Sequence, residues 1–442
     1  MTRRLVAGAT YRPRWLAGGV PVEGPDEDAF TLAVAAAERL GTTESGRTAT
    51  IDRLELVGEF PPAIDRMLLE ALGLESAEVH RHGPGVEGFA HALNDVGRSP
   101  LAPEGAGAVI TVDVASARTE GAGPSGAVGV ALLFADGPGA ELLGHATRSH
   151  PPERPPVAAE WIRAAHRAHP TANSSTTGRL GVIARAAPPV LLAEWSRIFP
   201  AVEPVVVPWL DPGTGALPSS RPALALRTFL ERTPPGDALW LAAIQSDRTE
   251  FLAIRGEGPV VWADPVPSLS RPTPADGPFP SASASDLLRV SEGAYVARPR
   301  YVENLPSRWR FVADRCAGCG TTGFPARGRC RSCGRSDGVA PIALPREGLT
   351  VLAATTIHPG AQPTEFDPLT AAIGPYSVVI AAWPDGPKVT LQVADAPAGT
   401  ARVGDRIGTE LRRLYAMEGD WRYGRKAVVT PGAVPGASAA PT

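Results

Sequence analysis

Four cysteines carry the strongest chemical signal in this chain. Cys316 and Cys319 form one Cys-x-x-Cys pair and Cys330 and Cys333 another, with ten residues between the pairs. A two-residue gap lets both thiolates of a pair point at one ion, and the glycines that follow, Gly320 and Gly334, suit the positive φ of a tight knuckle turn. Four soft sulfur donors close a tetrahedron and favour structural zinc, which folds its surroundings rather than activating water. Four thiolates also serve an iron centre, and a redox disulfide pair is the remaining alternative. All the cysteines of the chain lie within these eighteen residues, a distribution suited to a metal rather than to a disulfide framework.

Titratable groups gather at a second place. His80, His82 and His91 flank a predicted helix that also carries Glu87, so a metal or acid–base role falls to His82 and Glu87. Surface histidines beside a helix explain the same pattern without any function. Gly121 to Gly126 satisfies Gly-x-Gly-x-x-Gly, but a strand follows it where a dinucleotide site needs a helix. Ser125 and Ser246 lack a nucleophile-elbow context.

These groups need elements to hold them. Apolar runs predict strands at Arg53–Val57, Gly107–Val114, Ala127–Phe134, Val205–Val207 and Ala238–Ile244. Helical periodicity covers Glu27–Leu40, Ala63–Leu72, Val86–Val96, Val190–Ile198 and Arg221–Arg232, giving sheets packed against helices. We find no internal repeat in the sequence. After the cysteines, short strands at Leu349–Ile357, Ser377–Trp383, Lys388–Val393 and Arg406–Arg413 have the spacing of a small barrel. The expected division is a layered α/β domain over 1–258 and a Pro/Ser-rich linker over 259–284. A helix and zinc ribbon over 285–346, an OB-type barrel over 347–430 and a disordered tail over 431–442 complete it.

Composition sets outer limits. Of 442 residues, 43% are hydrophobic and 20% charged, so at least two folded cores are expected rather than disorder. A formal charge of −3 gives no global reason to bind nucleic acid or an anionic membrane. No apolar run suits a signal peptide or membrane span, so a cytoplasmic protein is expected. One region departs from this balance: Arg298 to Arg346 holds ten arginines against three acids. Phosphate is the natural partner of such a stretch, although solvated arginine on a lysine-poor surface accounts for it equally well.

From Ser285 to Ala427 the order of features resembles the acyl-CoA-associated zinc-ribbon/OB-fold family found beside thiolases. Trp309, the two cysteine pairs, Gly323-Phe324-Pro325-Ala326-Arg327, Gly348-Leu-Thr, Thr355-Thr-Ile-His358 and Val403-Gly404-Asp405 carry the match. Ala326 stands where a second proline is usual. The first 260 residues resemble a shortened thiolase-superfamily domain, nearest the 3-hydroxy-3-methylglutaryl-CoA synthase branch. Leu54-Glu-Leu-Val-Gly58, Gly107 to Asp113 and Ala122 to Ala131 support that likeness. It implies an α-β-α-β-α layered domain followed by a rubredoxin-like ribbon and a barrel.

The resemblance also implies what is missing. Val86-Glu-Gly88-Phe resembles the superfamily's Cys-x-Gly-Phe turn, which places Val86 where the nucleophilic sulfur would sit. Neither the His-x-Pro histidine nor the Gly-Asn turn has a counterpart; the corresponding stretches are Ile183 to Pro189 and Gly213 to Ala216. The implied protein is an accessory, noncatalytic subunit of an acyltransferase complex, its partner a thiolase-like subunit supplying Cys and His. Phe324, Arg327 and His358 are then the candidates for contacting coenzyme A. The alternatives are a self-sufficient acyl-CoA aldolase or acyltransferase without a cysteine nucleophile, and a nucleic-acid-binding ribbon/barrel module.

Overall fold

β-branched and small apolar residues, covered on both faces, build the main sheet; Gly105–Asp113 (Gly-Ala-Gly-Ala-Val-Ile-Thr-Val-Asp) is buried at every position. The computed structural model describes residues 3–17, 20–98, 105–115, 126–149, 178–184, 204–208, 210–211, 215–232, 238–244, 248–263, 271–272, 298–361, 366–384, 386–417 and 420–429. These divide into two units. The first comprises Met1–Val22, Leu32–Leu69 and Leu74–Ser268, the second Glu23–Thr31, Glu70–Gly73 and Leu269–Thr442. The expected helix Val190–Ile198, Ser125, Ser246, the Gly121 turn up to Ser125, most of 259–284 and the tail lie outside the described residues.

In the first unit the main sheet is built from β1 (Arg4–Tyr11), β2 (Thr50–Val57), β3 (Glu78–His82), β4 (Gly105–Asp113), β5 (Val128–Ala135), β6 (Ala140–Ser149), β7 (Gly178–Ala184), β8 (Pro204–Pro208), β9 (Ala238–Ile244), β10 (Arg248–Gly256) and β11 (Val261–Ala263). The sheet runs β8-β7-β9-β10-β6-β1-β5-β4-β2-β3, with β11 parallel to β1 on the edge it shares with β6. Pairing reveals a duplication. From β1 outward, β5 and β4 join antiparallel, then β2 and β3 parallel. From β6 outward, β10 and β9 join antiparallel, then β7 and β8 parallel. The sequence, in which no repeat is visible, hides this because the halves share a connection pattern rather than residues.

Helices of that unit include α1 (Ala29–Leu40, whose first residues belong to the second unit), α2 (Ile64–Leu72), α3 (Val86–Arg98) and α4 (Arg221–Arg232). α3 precedes β4 and α4 precedes β9, so the two occupy equivalent places in the two halves. Val86, Phe89, Ala90, Leu93 and Val96 fall on one face of α3 and share a core with Ala223, Leu226 and Phe229 of α4 and with Val109, Val130 and Leu132 of the sheet. Gly88 is fixed by space: a Cβ there would lie 1.9 Å from the Gly83 carbonyl oxygen. Gly88→Ala is therefore expected to destabilise the first unit by about 1–3 kcal/mol, read as a lowered urea midpoint with unchanged slope.

The second unit holds α5 (Arg298–Glu303), α6 (Leu305–Arg310), a three-stranded ribbon sheet and a five-stranded antiparallel sheet. The ribbon strands are β12 (Val312–Cys316), β13 (Thr322–Gly323) and β14 (Val339–Ala343), with β12 central. β15 (Leu349–Ile357), β16 (Tyr376–Ala382), β17 (Lys388–Gln392), β18 (Arg406–Met417) and β19 (Asp420–Val429) follow in the order β17-β16-β15-β18-β19. A bridge from Val393 to Ala427 brings the two ends of that order together, closing the strands into an OB-type barrel. Phe311, Leu349, Val351, Val379, Trp383 and Ile407 fill it. Among the described residues no helix is long and apolar enough to cross a membrane.

Candidate functional site

Two short turns present the four thiols to one point. The Gly320 N–H donates to the Cys316 carbonyl at 2.8 Å and the Gly334 N–H to the Cys330 carbonyl at 3.1 Å, with φ of 71° and 73° at the two glycines. Both knuckles thus close by the same bond, as the spacing predicts. The Sγ atoms of Cys316 and Cys333 lie 3.7 Å apart and those of Cys319 and Cys330 3.5 Å apart, all four within 4.8 Å of one another. A tetrahedron with metal–sulfur bonds of about 2.3 Å has edges of about 3.8 Å, so the thiols fit one zinc ion; a disulfide needs about 2.05 Å. The Thr321 hydroxyl and backbone, beside Cys319, hold its thiol down to about 6. In the same cluster the neighbouring cysteines help push the Cys333 thiol up to about 11, so metal binding must release protons from the cluster.

Beside the ribbon a cavity of about 500 Å³ opens, within the usual range for a ligand pocket. Arg300, Arg308, Arg327 and Arg425 line it together with Phe311 and Phe324, and no acidic residue does. Each arginine is placed by a different device. α5 carries Arg300, and Arg308 on α6 lies over the Tyr301 ring with its Nε buried and without a hydrogen bond. The Arg327 and Gly328 N–H groups both donate to the Asp314 carboxylate, the latter at 2.8 Å, which fixes the Arg327 backbone. Arg425 donates to the Trp309 carbonyl at 2.6 Å. Phe324 packs against Trp383 at 5.3 Å and edge-on to Phe311 at 5.8 Å, holding an aromatic wall. Of the sequence candidates, Phe324 and Arg327 meet here, whereas His358, in a turn after β15, is not among the lining residues. The arginine-rich stretch foreshadowed Arg300 and Arg308; nothing in the sequence pointed to Arg425.

In the first unit, α3 starts at Val86, which is 1% exposed and packed into the core. The N-terminus of α4 carries an internal anion instead. Asp113, at the end of β4, accepts hydrogen bonds from the Ser219 and Ser220 N–H groups at 3.0 and 2.7 Å. Thr111 Oγ1 donates to Ser220 Oγ at 2.9 Å, and the Gly85 N–H, just before α3, points to Ser219 Oγ at 3.4 Å. A buried carboxylate thus caps α4 where the two equivalent helices begin. Burial pushes the Asp113 carboxyl above the ordinary range, against the hydrogen bonds of Ser219 and Ser220. A raised folded-state value means that the folded form holds this proton more tightly, so the contribution is lost as pH rises through that value. In Asp113→Asn the fall of unfolding free energy between pH 4 and neutrality is expected to be shallower than in the wild type.

His82 does not pair with Glu87. Its Nε2 lies 2.6 Å from Oε2 of Glu55, a fully buried side chain on β2 whose other oxygen meets Arg53. The sequence reading missed Glu55 because it is 27 residues away along the chain. A period-2 count puts Glu55 and Val57 on the face that His82 shares, and that was the available signal.

No family model matches the chain. It is similar to curated proteins described as DUF35 domain-containing scaffold proteins. The protein from Methanocaldococcus jannaschii is 26% identical over 124 residues, 27% of this chain and 83% of that protein. The protein from Methanothermobacter thermautotrophicus is 27% identical over 112 residues, 25% of this chain and 78% of its own length. Among solved structures, the acyltransferase ChlB3 aligns at 14% identity over 59% of this chain and 99% of its own, with a TM-score of 0.45. A 3-oxoacyl-(acyl-carrier-protein) synthase III aligns at 14% over 58% and 100%, TM-score 0.44. A 3-hydroxy-3-methylglutaryl-CoA synthase complexed with CoA aligns at 13% over 58% and 82%, TM-score 0.43.

Proposed function

We propose that this chain, similar to DUF35 scaffold proteins, is an accessory, noncatalytic subunit of an acyl-CoA complex. Its ribbon and barrel hold the phosphorylated end of coenzyme A, while a thiolase-like partner contributes the acylated cysteine and its histidine. The observation that carries this is the cavity at the ribbon, where four arginines and an aromatic wall meet without a single acid. Such a site suits phosphates beside a planar base, because guanidinium groups pair with phosphate in two-pronged fashion and an aromatic face stacks on the base.

The noncatalytic part rests on chemistry the chain lacks. Every cysteine belongs to the tetrathiolate cluster, so none remains to form a thioester. Valine at the start of α3 cannot substitute for one, and Asp113 already occupies the donors at the start of α4. The scaffold description of the relatives supports assembly as the remaining role.

Calorimetric titration of the zinc-loaded chain with coenzyme A, dephospho-coenzyme A and single-stranded DNA at varied salt tests the assignment. Coenzyme A is expected to bind most tightly, and Arg308→Ala and Arg327→Ala to weaken it by about tenfold each, the worth of one charge-assisted contact. Tighter binding of the DNA with a steep salt slope would favour the nucleic-acid module instead.

A further inference from the structure

A second cluster of potential metal donors lies in the first unit, far in character from the sulfur cluster. Glu55 on β2, His82 on β3 and Asp95 on α3 each offer one donor atom, and the three atoms lie within 4.8 Å of one another. They come from three separate elements held by sheet register and by the buried face of α3, so their convergence does not depend on a loop.

The two carboxylates have acceptor capacity beyond the contacts they make. Glu55 is wholly buried, with one oxygen on Arg53 and the other on His82 Nε2 at 2.6 Å. Asp95 has the neighbouring Asn94 amide at 3.3 Å. His80 stands opposite Glu55 in the β2/β3 register, its Nε2 buried without a hydrogen bond and 3.6 Å from a Glu78 oxygen. Two carboxylates against one arginine favour a cation beside the His82 imidazole. One imidazole with two carboxylates suits a divalent first-row ion such as Zn²⁺, or the harder Mn²⁺, better than a soft, sulfur-seeking one.

We propose that Glu55, His82 and Asp95 form a binding site for a divalent transition-metal ion. In the loaded site the His82 ring proton sits on Nδ1, so Nε2 and the Glu55 oxygen face the ion in place of their hydrogen bond, and the ion ties β3 to α3 across the Gly83–Gly85 turn that precedes Val86. The site is independent of the coenzyme A reading, since it shares no residue with the arginine cavity.

The test is metal stoichiometry of the full chain. After chelation, reloading with Zn²⁺ or Mn²⁺ and gel filtration, elemental analysis of the Zn²⁺-loaded wild type should give two equivalents per chain. Asp95→Asn and His82→Gln should each give one, with unchanged far-ultraviolet circular dichroism. Asp95 is only half-buried on a helix, so its variant isolates the ligand role from folding. Co²⁺ loading supplies a second readout: the sulfur site gives intense thiolate charge-transfer bands, the proposed site weak d–d bands that both variants abolish while the charge-transfer bands persist. A single equivalent in the wild type, or a second equivalent retained in both variants, overturns the proposal.

Discussion

Removing zinc from the tetrathiolate cluster, by chelation or by Cys319→Ser, is expected to unfold the ribbon. Between Ala317 and Ala340 the only buried residue is Cys330, itself a ligand, so no apolar core can hold these turns once the metal leaves. The stabilisation must come from coordination, for which structural zinc supplies on the order of 10–16 kcal/mol of apparent binding free energy near neutral pH. Arg327 and Phe324 lie between the two cysteine pairs, so the arginine cavity loses one wall with the ribbon. Loss of ribbon amide protection in hydrogen exchange and of coenzyme A binding should therefore occur together on chelation, and zinc should restore both. Retention of ribbon protection without metal would show that packing holds the turns after all.

The second large effect belongs to a buried ion network in the ribbon-and-barrel unit. Arg412 is 1% exposed and meets Glu27, Asp395 at 2.8 Å and Glu410. Lys426, also 1% exposed, meets Asp26 at 2.8 Å. Arg413 and the Tyr423 hydroxyl share Asp28, at 2.8 and 2.7 Å. Arg412→Leu leaves three carboxylates without their central cation, and breaking a buried pair in this way costs about 3–5 kcal/mol. The thermal midpoint of this unit is expected to fall by roughly 10 °C. Acid should act in the same direction. Burial alone would raise the Asp26 carboxyl, but Lys426 and Arg412 outweigh it and hold it below the ordinary value. Its contribution is present at neutral pH and is lost as pH falls through that depressed value.

How much of this was legible follows from how far apart the partners lie. Cysteine spacing fixes its own turn chemistry, so the gathering of the four thiols and the positive φ of Gly320 and Gly334 could be read directly. β2, β4, β5 and β9 announced themselves as apolar runs, and α3 by its 3.6-residue period. β3, Glu-Val-His-Arg-His, did not, because an edge strand needs little apolar surface and shows its charges to solvent. The Asp26–Lys426 pair joins residues 400 apart, beyond any local pattern. Sequence proximity groups Glu87 with His82 but gives no sign of Glu55, which a parallel strand pair brings beside His82. The duplicated topology of the first unit left no trace in residue identities, since a connection pattern tolerates any sequence of suitable polarity.

Whether this polypeptide ever carries an acyl group is decided most directly by intact-mass analysis of the complex isolated from its own host and charged with acyl-CoA labelled in the acyl carbon. The expected spectrum shows the added acyl mass on a different, cysteine-bearing chain, while this chain keeps its zinc and an unchanged covalent mass. Label found covalently on this chain would contradict the account.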